Sequence, residues 1–141
     1  MDKIRPSVTL ALLEAREALM THFRPALNEI GVTEQQWRII RILAQYGEQE
    51  STHLAEKACI LKPSLTGIIR RLMEMDLVGR RRGETDQRFV FIYLTEAGQD
   101  VFKTMSVEME KRYQSIHAKI GDDKMAQLLT LLADVQKLKL D

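Results

Sequence analysis

Residues 51–98 read STHLAEKACILKPSLTGIIRRLMEMDLVGRRRGETDQRFVFIYLTEAG, and the apolar period of this stretch changes partway along it. The first half has apolar residues at helical spacing in two short segments that only a few residues separate. Ser51 is positioned to cap the first segment, and Pro63 suits the first turn of the second. The first half therefore predicts two short helices in quick succession.

The second half of the stretch is rich in β-branched and aromatic residues, which favour strands. We expect one strand over residues 77–82 and a returning strand over residues 88–94 that begins at Arg88, with Gly83 in the connecting loop. Thr95 is then placed to cap a long helix. The second half therefore predicts a β-hairpin with a long tip, followed by a helix.

Further helices are predicted on both sides of this stretch. Apolar residues at steps of three or four indicate a long first helix, which Pro25 is expected to kink. Thr33 and Gln36 have capping-box spacing at the start of a second helix that ends near residues 46–47. Residues 121–122 separate the helix after the hairpin from a last helix. The predicted fold is mainly α with a small β-hairpin, in the order four helices, hairpin, two helices.

The composition is that of one soluble globular domain. The 141 residues are 45% hydrophobic and 29% charged, and no apolar run approaches the roughly 20 residues that a bilayer requires. Glu14 and Arg16 interrupt the first apolar run too early for a signal peptide. We therefore expect a cytoplasmic protein that does not contact a membrane.

The sequence has no pattern typical of a catalytic or metal site. Cys59 is the single cysteine, and His22, His53 and His117 lie far apart along the chain. Hydrolase motifs and phosphate-cradling glycine loops are missing. We predict a protein that is not an enzyme and needs no metal or other cofactor. Cys59 is interpreted as a small apolar filler, with a redox sensor as the alternative.

Positive charge is concentrated between residues 61 and 90, although the net charge of the chain is only +1. This segment has seven cations and four anions, so it is +3 while the rest totals −2. Its helix has a polar face suited to base edges and phosphates, although an ordinary solvated face is the alternative. A basic helix followed by a basic hairpin indicates a winged helix-turn-helix that binds double-stranded DNA. The predicted DNA-binding residues are Lys62, Pro63, Ser64, Thr66, Gly67, Arg70, Arg71, Arg80, Arg82, Asp86 and Arg88.

The arginines of the hairpin are expected to act in two ways. Residues 80–82 are arginines on the outgoing strand and would mainly attract phosphates, whereas Arg88 would probe the minor groove. Asp86 has two interpretations that stay open here. It either holds the guanidinium of Arg88 in position before DNA arrives or serves as a plain turn residue.

Four motifs occur in order along the opening stretch: Leu-Ala, Ser-x-Thr, Asp-x-Arg and Leu-Thr-x-x-Gly, at Leu54, Ala55, Ser64, Thr66, Asp86, Arg88, Leu94, Thr95 and Gly98. With them the chain resembles the MarR family of bacterial transcription regulators over nearly its whole length. Asp76 is a departure, because the family commonly has glycine there, but aspartate tolerates a left-handed cap better than most residues. Within the family, ALLEARE, TEQQWRIIRIL and ACILKPSLTGI are similar to repressors of homoprotocatechuate (3,4-dihydroxyphenylacetate) degradation operons.

The resemblance implies a single MarR-type domain over residues 1–141. A winged helix-turn-helix lobe at residues 33–95 (the winged lobe) would be flanked by long dimerisation helices at residues 8–32 and 96–141 (the terminal helices). The implied protein is a homodimer that represses transcription from a roughly palindromic operator. Apolar area left over on the terminal helices supports the dimer, and packing within one chain is the alternative. The competing class is a helical interaction protein whose basic hairpin meets an acidic protein partner.

The resemblance also implies an effector that is a small phenolic or aromatic carboxylate, such as 4-hydroxyphenylacetate or homoprotocatechuate. Arginine can hold a carboxylate, histidine can meet a phenolic hydroxyl, and tryptophan can stack on a ring. The candidate ligand-binding residues are Arg16, His22, Trp37, Arg38 and Arg41. In the alternative interpretation Trp37 belongs to the core and the arginines pair with Glu14, Glu17 or Glu34.

Overall fold

The computed structural model describes residues 3–140, so the outermost residues of the predicted domain, 1, 2 and 141, lie outside the described residues. The described part contains six helices and one small antiparallel sheet, which confirms the predicted fold class. The elements are α1 Val8–Ile30, α2 Glu34–Tyr46, β1 Gln49–Glu50, α3 Ser51–Ala58, α4 Lys62–Glu74, β2 Val78–Arg82, β3 Val90–Leu94, α5 Glu96–Ile120 and α6 Asp122–Gln136.

The ends of the helices follow local capping chemistry, with one correction. The predicted capping box is confirmed, since Gln36 N donates to Thr33 Oγ1 at 3.1 Å and Thr33 N donates to Gln36 Oε1 at 3.0 Å. Ser51, however, does not cap α3. Glu50 is the cap, and its Oε2 accepts from the backbone N–H groups of residues 52 and 53 at 3.0 and 3.1 Å. A carboxylate one residue earlier reaches both free N–H groups, which the hydroxyl of Ser51 does not.

The sheet has three strands in the order β1-β3-β2, whereas the sequence predicts two. β1 is only two residues long, too short to show an alternating pattern, and pairs through Gln49 with Ile92 of β3. The returning strand begins at Val90, so the expectation that Arg88 begins it is wrong. Residues 87 and 88 form a turn because Asp86 Oδ1 accepts from the backbone N–H of Arg88 at 3.0 Å.

One hydrophobic core joins the winged lobe to α1 and α5. Its largest fully buried side chains are Leu27, Ile39, Ile40, Leu54, Leu65, Leu72 and Ile92. Trp37 of α2 is 9% exposed and stacks on Phe102 of α5, with the ring centroids 5.7 Å apart and the planes at 14°. The helix α1 continues through Pro25 as one element, and the expected kink there stays a prediction.

The closing Leu-Thr-x-x-Gly motif fastens the end of the sheet to the start of α5. Thr95 Oγ1 accepts from the backbone N–H of Gly98 at 3.0 Å and donates to the carbonyl oxygen of Asp76 at 2.7 Å. A Cβ on Gly98 would overlap the carbonyl oxygen of Leu77, so only glycine fits. Asp76 has φ +61°, as its left-handed cap predicts.

Cys59 does not fill the core, so that interpretation is wrong. It is exposed at the C-terminal end of α3, with φ +54°, and its backbone N–H donates to the carbonyl of Glu56 at 3.2 Å. The left-handed turn directs this side chain outward, while the neighbouring Ala58 and Ile60 are buried. The left-handed residue ends α3, because it lets the backbone N–H groups of residues 59 and 60 donate to carbonyl oxygens of Glu56 and Ala55.

The terminal helices leave large apolar side chains exposed. The exposed ones in α1 and α6 are Val8, Leu10, Leu12, Leu13, Leu19, Ile30, Leu128, Leu129, Leu131 and Val135. Within α6, all of which is described, Met125 is the single buried residue. Neither these helices nor any other in residues 3–140 is long and apolar enough to cross a membrane.

Candidate nucleic-acid interface and effector cleft

The helix α4 presents a polar face to solvent because its apolar stripe is fixed in the core. Leu65, Ile69 and Leu72 are buried, and Pro63 lies in the first turn as predicted. The exposed residues on the rest of the helix are Lys62, Pro63, Ser64, Thr66, Arg70, Arg71, Met73 and Glu74. Gly67 is partly exposed, and no atom lies within 4 Å of where its Cβ would be. This face therefore has both exposed donors and room for close approach.

Residues from two distant segments meet in a groove between α4 and the hairpin, which we call the wing groove. It has a volume of about 660 Å³, and its cations are Lys62, Arg70, Arg80 and Arg88. Two carboxylates also line it, but that of Glu50 is committed to capping α3. With Thr66, five of the residues predicted to bind DNA thus line one groove, and their contacts with DNA stay a prediction.

Asp86 forms a bidentate ion pair with Arg88 at the tip of the wing. Arg88 Nε donates to Asp86 Oδ1 at 3.0 Å, and Arg88 Nη2 donates to Oδ2 at 2.7 Å. The side chain of Arg88 is nevertheless 89% exposed, whereas that of Asp86 is 30% exposed. The hydrogen bonds from Arg88 hold the pKa of Asp86 below its ordinary value and raise the pKa of Arg88. Asp86 thus stabilises the turn and also orients the guanidinium of Arg88, which remains open to solvent.

The three consecutive arginines of β2 fall on two faces of the strand. Neighbouring strand residues point to opposite faces, so Arg80 and Arg82 share one face and Arg81 lies on the other. Arg82 Nη1 donates to the carbonyl oxygen of Gln87 within the wing at 2.9 Å. Arg81 instead forms a bidentate ion pair with Glu48, which raises the pKa of the Arg81 guanidinium. Arg81 thus differs from its neighbours because its charge is already paired, and the expectation that all three arginines mainly attract phosphates stays a prediction.

A second open cleft of about 640 Å³ lies between α1, α2 and α5, and we call it the effector cleft. Its apolar part includes Met20 and Phe23 of α1 and Met109 of α5. Aromatic side chains and polar groups occur together on its walls. These lining residues are Glu34, Trp37, Arg38, Arg41, Gln45, Phe102, Ser106, Glu110 and Tyr113.

Three of the five predicted ligand-binding residues line this cleft: Trp37, Arg38 and Arg41. Trp37 is both core and cleft wall, so its two interpretations are compatible. Arg16 and His22 are not among the residues that line the cleft, although Arg16 contacts Glu34, which does line it. The placement of His22 gives no support for its expected contact with a phenolic hydroxyl.

The arginines around the cleft differ in what they already bind. Arg38 forms two hydrogen bonds with Glu34, at 3.1 and 2.6 Å, and Arg16 contacts the same carboxylate. The predicted pairing with Glu34 is therefore present for these two. Arg41 has no carboxylate partner among residues 3–140. Among the three arginines predicted to bind the effector carboxylate, Arg41 is the one whose guanidinium forms no ion pair within the described residues.

The helix α5 contributes a wall of the cleft that was not predicted from the sequence. Its lining residues Phe102, Ser106, Met109, Glu110 and Tyr113 occur at steps of three, four and one, which place them on one helical face. Met109 and Tyr113 belong to the apolar stripe of this helix. The hydroxyl of Ser106 and the carboxylate of Glu110 lie on the same face as that stripe. In the sequence, these polar groups were the pattern that could have indicated a cavity at this face in addition to core. No group of three or more potential metal ligands is gathered within residues 3–140.

Known proteins are similar to this chain over nearly its whole length. The profile of the MarR family matches residues 32–90. The HTH-type transcriptional regulator FarR of Neisseria gonorrhoeae is 46% identical over 133 residues, covering 94% of this chain and 91% of its own length. The homoprotocatechuate degradative operon repressor of Escherichia coli is 45% identical over 128 residues, covering 91% of this chain and 86% of its own. These relatives are regulators, which supports a function other than catalysis at the level of the family.

Two solved structures have the same fold as this chain and are also similar to it in sequence. The crystal structure of the transcriptional regulator PA4135 superposes with a TM-score of 0.94 at 55% identity, covering 96% of this chain and 100% of that one. The crystal structure of NadR in complex with 4-hydroxyphenylacetate gives a TM-score of 0.87 at 45% identity and covers 99% of both chains. With the winged helix-turn-helix described above, this likeness over nearly the full length shows that the chain belongs to the MarR family of transcriptional regulators.

Proposed function

We propose that this regulator is a homodimeric repressor that binds a roughly palindromic operator and is released by a small aromatic acid. The observation that carries the proposal is the presence of two separate sites in one protomer. A basic groove lies between α4 and the wing, and an aromatic cleft with the unpaired guanidinium of Arg41 lies between α1, α2 and α5. The first suits DNA and the second suits a carboxylate carried on a ring.

On DNA, α4 would enter the major groove and the wing would follow the backbone. The exposed donors of α4 suit base edges and phosphates, and Gly67 permits a close approach. Arg88 projects from the tip of the wing and would enter the minor groove, with Asp86 holding its guanidinium. In this assignment Arg80 and Arg82 attract phosphates, and Arg81 does not.

The dimer would form through the terminal helices of residues 8–32 and 96–141. Support comes from the apolar side chains that these helices expose, since a symmetric partner would cover the same surface on each copy. The two α4 helices of such a dimer should lie about 34 Å apart to enter successive major grooves on one side of DNA. Bound at a promoter, the dimer would block transcription by occlusion.

The effector would place its carboxylate at Arg41 and its ring among the aromatic side chains of the effector cleft. Ser106 and Glu110, on the α5 side of this cleft, offer hydrogen-bond partners for a phenolic hydroxyl in place of His22. NadR was crystallised with 4-hydroxyphenylacetate, and the E. coli relative is named for the homoprotocatechuate operon. We propose 4-hydroxyphenylacetate or a close relative as the effector of this chain.

The test combines two fluorescence measurements on the full chain. Trp37 is the single tryptophan and lines the cleft, so its emission reports directly on ligand entry. The anisotropy of labelled DNA from upstream of the protein's own gene reports on operator binding. We expect 4-hydroxyphenylacetate to change the emission and to release the DNA. Its analogue 4-hydroxyphenylethanol, which lacks the carboxylate, should do neither.

Matched variants locate the binding group. Arg41→Gln should lose the response to 4-hydroxyphenylacetate and keep operator binding, because the cleft and the wing groove are separate. Arg24→Gln is the control, since Arg24 is paired with Glu17 on α1 and does not line the cleft. If hydroxyphenylacetates change neither the emission nor the DNA affinity of the wild type, the effector assignment is wrong.

Salt dependence separates a DNA-binding regulator from a protein-interaction module. A dimer that contacts roughly 6 to 10 phosphates should lose about 10³- to 10⁵-fold in affinity between about 50 and 200 mM salt. It should also prefer its operator over bulk DNA. A protein without a preferred site would favour the interaction module.

A further inference from the structure

Arg81 stands apart from the other arginines of the wing because its guanidinium is enclosed on two sides. Its Nε and Nη2 donate to the two carboxylate oxygens of Glu48 at 2.7 and 2.9 Å. Its guanidinium carbon lies 4.6 Å from the centroid of the Phe91 ring, on the strand that pairs with β2. A bidentate ion pair combined with a ring contact fixes both the position and the plane of the guanidinium.

Glu48 connects this contact to the effector cleft. It follows the last residue of α2, Tyr46, by two positions, with Gly47 between them. The same helix carries Trp37 and Arg41 on the wall of the cleft. A shift of α2 would therefore move the Glu48 carboxylate, since only Gly47 separates Glu48 from the helix. The ion pair with Arg81 would pass this movement to the wing.

The neighbouring backbone supports the same connection. Directly after Glu48, Gln49 and Glu50 form β1, which pairs with Ile92 and Phe91 of β3. The end of α2 is thus held to the wing twice, by the backbone of β1 and by the side chains of the ion pair. Both connections act at the same level of the sheet, because Glu50 of β1 and Arg81 of β2 pair with the same residue of β3, Phe91.

We infer that the Glu48–Arg81 pair transmits occupancy of the effector cleft to the wing, with Arg81 as a positioning residue and not a phosphate contact. The inference rests on the proposed function. An effector that moves α2 would displace Glu48, pull Arg81, and turn the wing arginines away from the position that DNA requires. Coupling between two sites needs a contact whose geometry depends on both of them. The Glu48–Arg81 pair is such a contact between the effector cleft and the wing groove.

The measured quantity is the release factor, the ratio of the operator Kd in saturating 4-hydroxyphenylacetate to the operator Kd without it. Glu48→Gln and Arg81→Gln should each lower the release factor by about two- to fivefold, the range of one well-oriented surface ion pair. The double variant should lower it no further than either single variant, because both remove the same contact. Trp37 emission should show unchanged 4-hydroxyphenylacetate affinity without DNA.

Two further variants distinguish positioning from simple charge. Arg81→Lys keeps the charge but loses the bidentate geometry, so it should keep operator affinity and still lower the release factor. Arg82→Gln is the matched control, because Arg82 contacts only the carbonyl of Gln87 within the wing. It should weaken operator binding and reduce its salt dependence while leaving the release factor unchanged.

The outcomes separate the link from the proposed function. If Arg81→Gln behaves like Arg82→Gln, with weaker binding, a smaller salt dependence and an unchanged release factor, Arg81 is a phosphate contact and the link is wrong. A release factor unaffected by Glu48→Gln also overturns the link alone. A wild-type protein that keeps its full operator affinity in 4-hydroxyphenylacetate overturns the proposed effector, and the link falls with it.

Discussion

The winged lobe and the terminal helices use their apolar residues in opposite ways. In the lobe, Ile40, Leu54 and Leu72 are fully buried by contacts within one chain. In α6, by contrast, Leu129 and Leu131 are 55% and 62% exposed. The lobe therefore buries its large apolar side chains within one chain, in a core shared with α1 and α5, whereas the terminal helices also leave apolar area that a second molecule can cover.

Mutations in the two regions should therefore have different effects. A change in the lobe should alter the free energy of unfolding or the operator affinity, and should leave association of the chains intact. A change on the exposed face of the terminal helices should alter association first.

Leu131→Glu should dissociate the dimer. Covering one leucine contributes about 1.5 to 3 kcal/mol, and the symmetry of a dimer counts it twice, so we expect an increase of at least about 100-fold in the dimer Kd. Sedimentation over a range of protein concentrations measures this. The control is Leu61→Glu, since Leu61 is 80% exposed but lies at the start of α4 in the lobe. Equal effects of the two changes would break the division between the regions.

Gly98→Ala should destabilise the fold at the junction of the lobe and α5. The added Cβ would overlap the carbonyl oxygen of Leu77, and we expect a loss of about 2 to 3 kcal/mol in the free energy of unfolding. Urea denaturation at one fixed protein concentration measures it. Gly67→Ala is the matched control on α4, where nothing lies within 4 Å, and it should stabilise the helix by about 0.5 to 1 kcal/mol. A Gly98→Ala protein as stable as the wild type would contradict the close packing at this junction.

Arg88→Ala should lower operator affinity about ten- to hundredfold and leave dimerisation unchanged. Asp86→Ala should also weaken binding, although it removes a negative charge, because Arg88 loses the carboxylate that orients it. Glu84→Ala removes the same charge from the wing without touching this contact, so its affinity should stay level or rise. Anisotropy at matched salt compares the three variants. Tighter binding by Asp86→Ala would favour simple electrostatics over positioning.

Glu50→Ala should cost about 1 kcal/mol of stability, and Ser51→Ala less, because the structure assigns the cap of α3 to Glu50. Desolvation raises the pKa of Glu50, but hydrogen bonds from the backbone of Thr52 and His53 outweigh it, so the pKa lies below its ordinary value. The stabilisation is therefore fully present above the ordinary pKa of glutamate. It is lost as the pH falls through the lowered pKa.

Thermal denaturation at neutral and at acidic pH measures this difference. The gap between wild type and Glu50→Ala should close at the acidic end, while Ser51→Ala should follow the wild type throughout. A gap that does not change with pH would mean that the carboxylate is not the cap.

Much of the winged lobe could be predicted because its signals are local. The capping box at Thr33 involves two residues three positions apart, and the apolar stripe of α4 needs only helical periodicity. The contact between Asp86 and Arg88 also spans two residues, so the motif itself brings the pair together. In these cases the backbone conformation leaves the side chains few other partners.

The sequence was a poor guide where the partner is distant or the element is very short. Arg81 binds Glu48 across 33 positions, and nothing in the triple arginine distinguishes it from its neighbours except the alternation of the strand. The two residues of β1 carry no periodic signal. Cysteine is a residue type that is usually buried, but the left-handed turn at Cys59 directs this side chain to solvent.

The sequence by itself determined the elements, the basic wing and the family motifs, since each depends on spacing within a few residues. Tertiary structure alone decided which arginines remain free. It pairs Arg16 of α1 with Glu34 of α2, pairs Arg81 with Glu48, and leaves Arg41 at the effector cleft, whereas the Arg38–Glu34 pair is local to α2. The physical reason is that a charge is neutralised by whichever opposite charge the packed helices and strands bring within reach. That distance depends on the packing of whole elements, and the order of residues does not contain it.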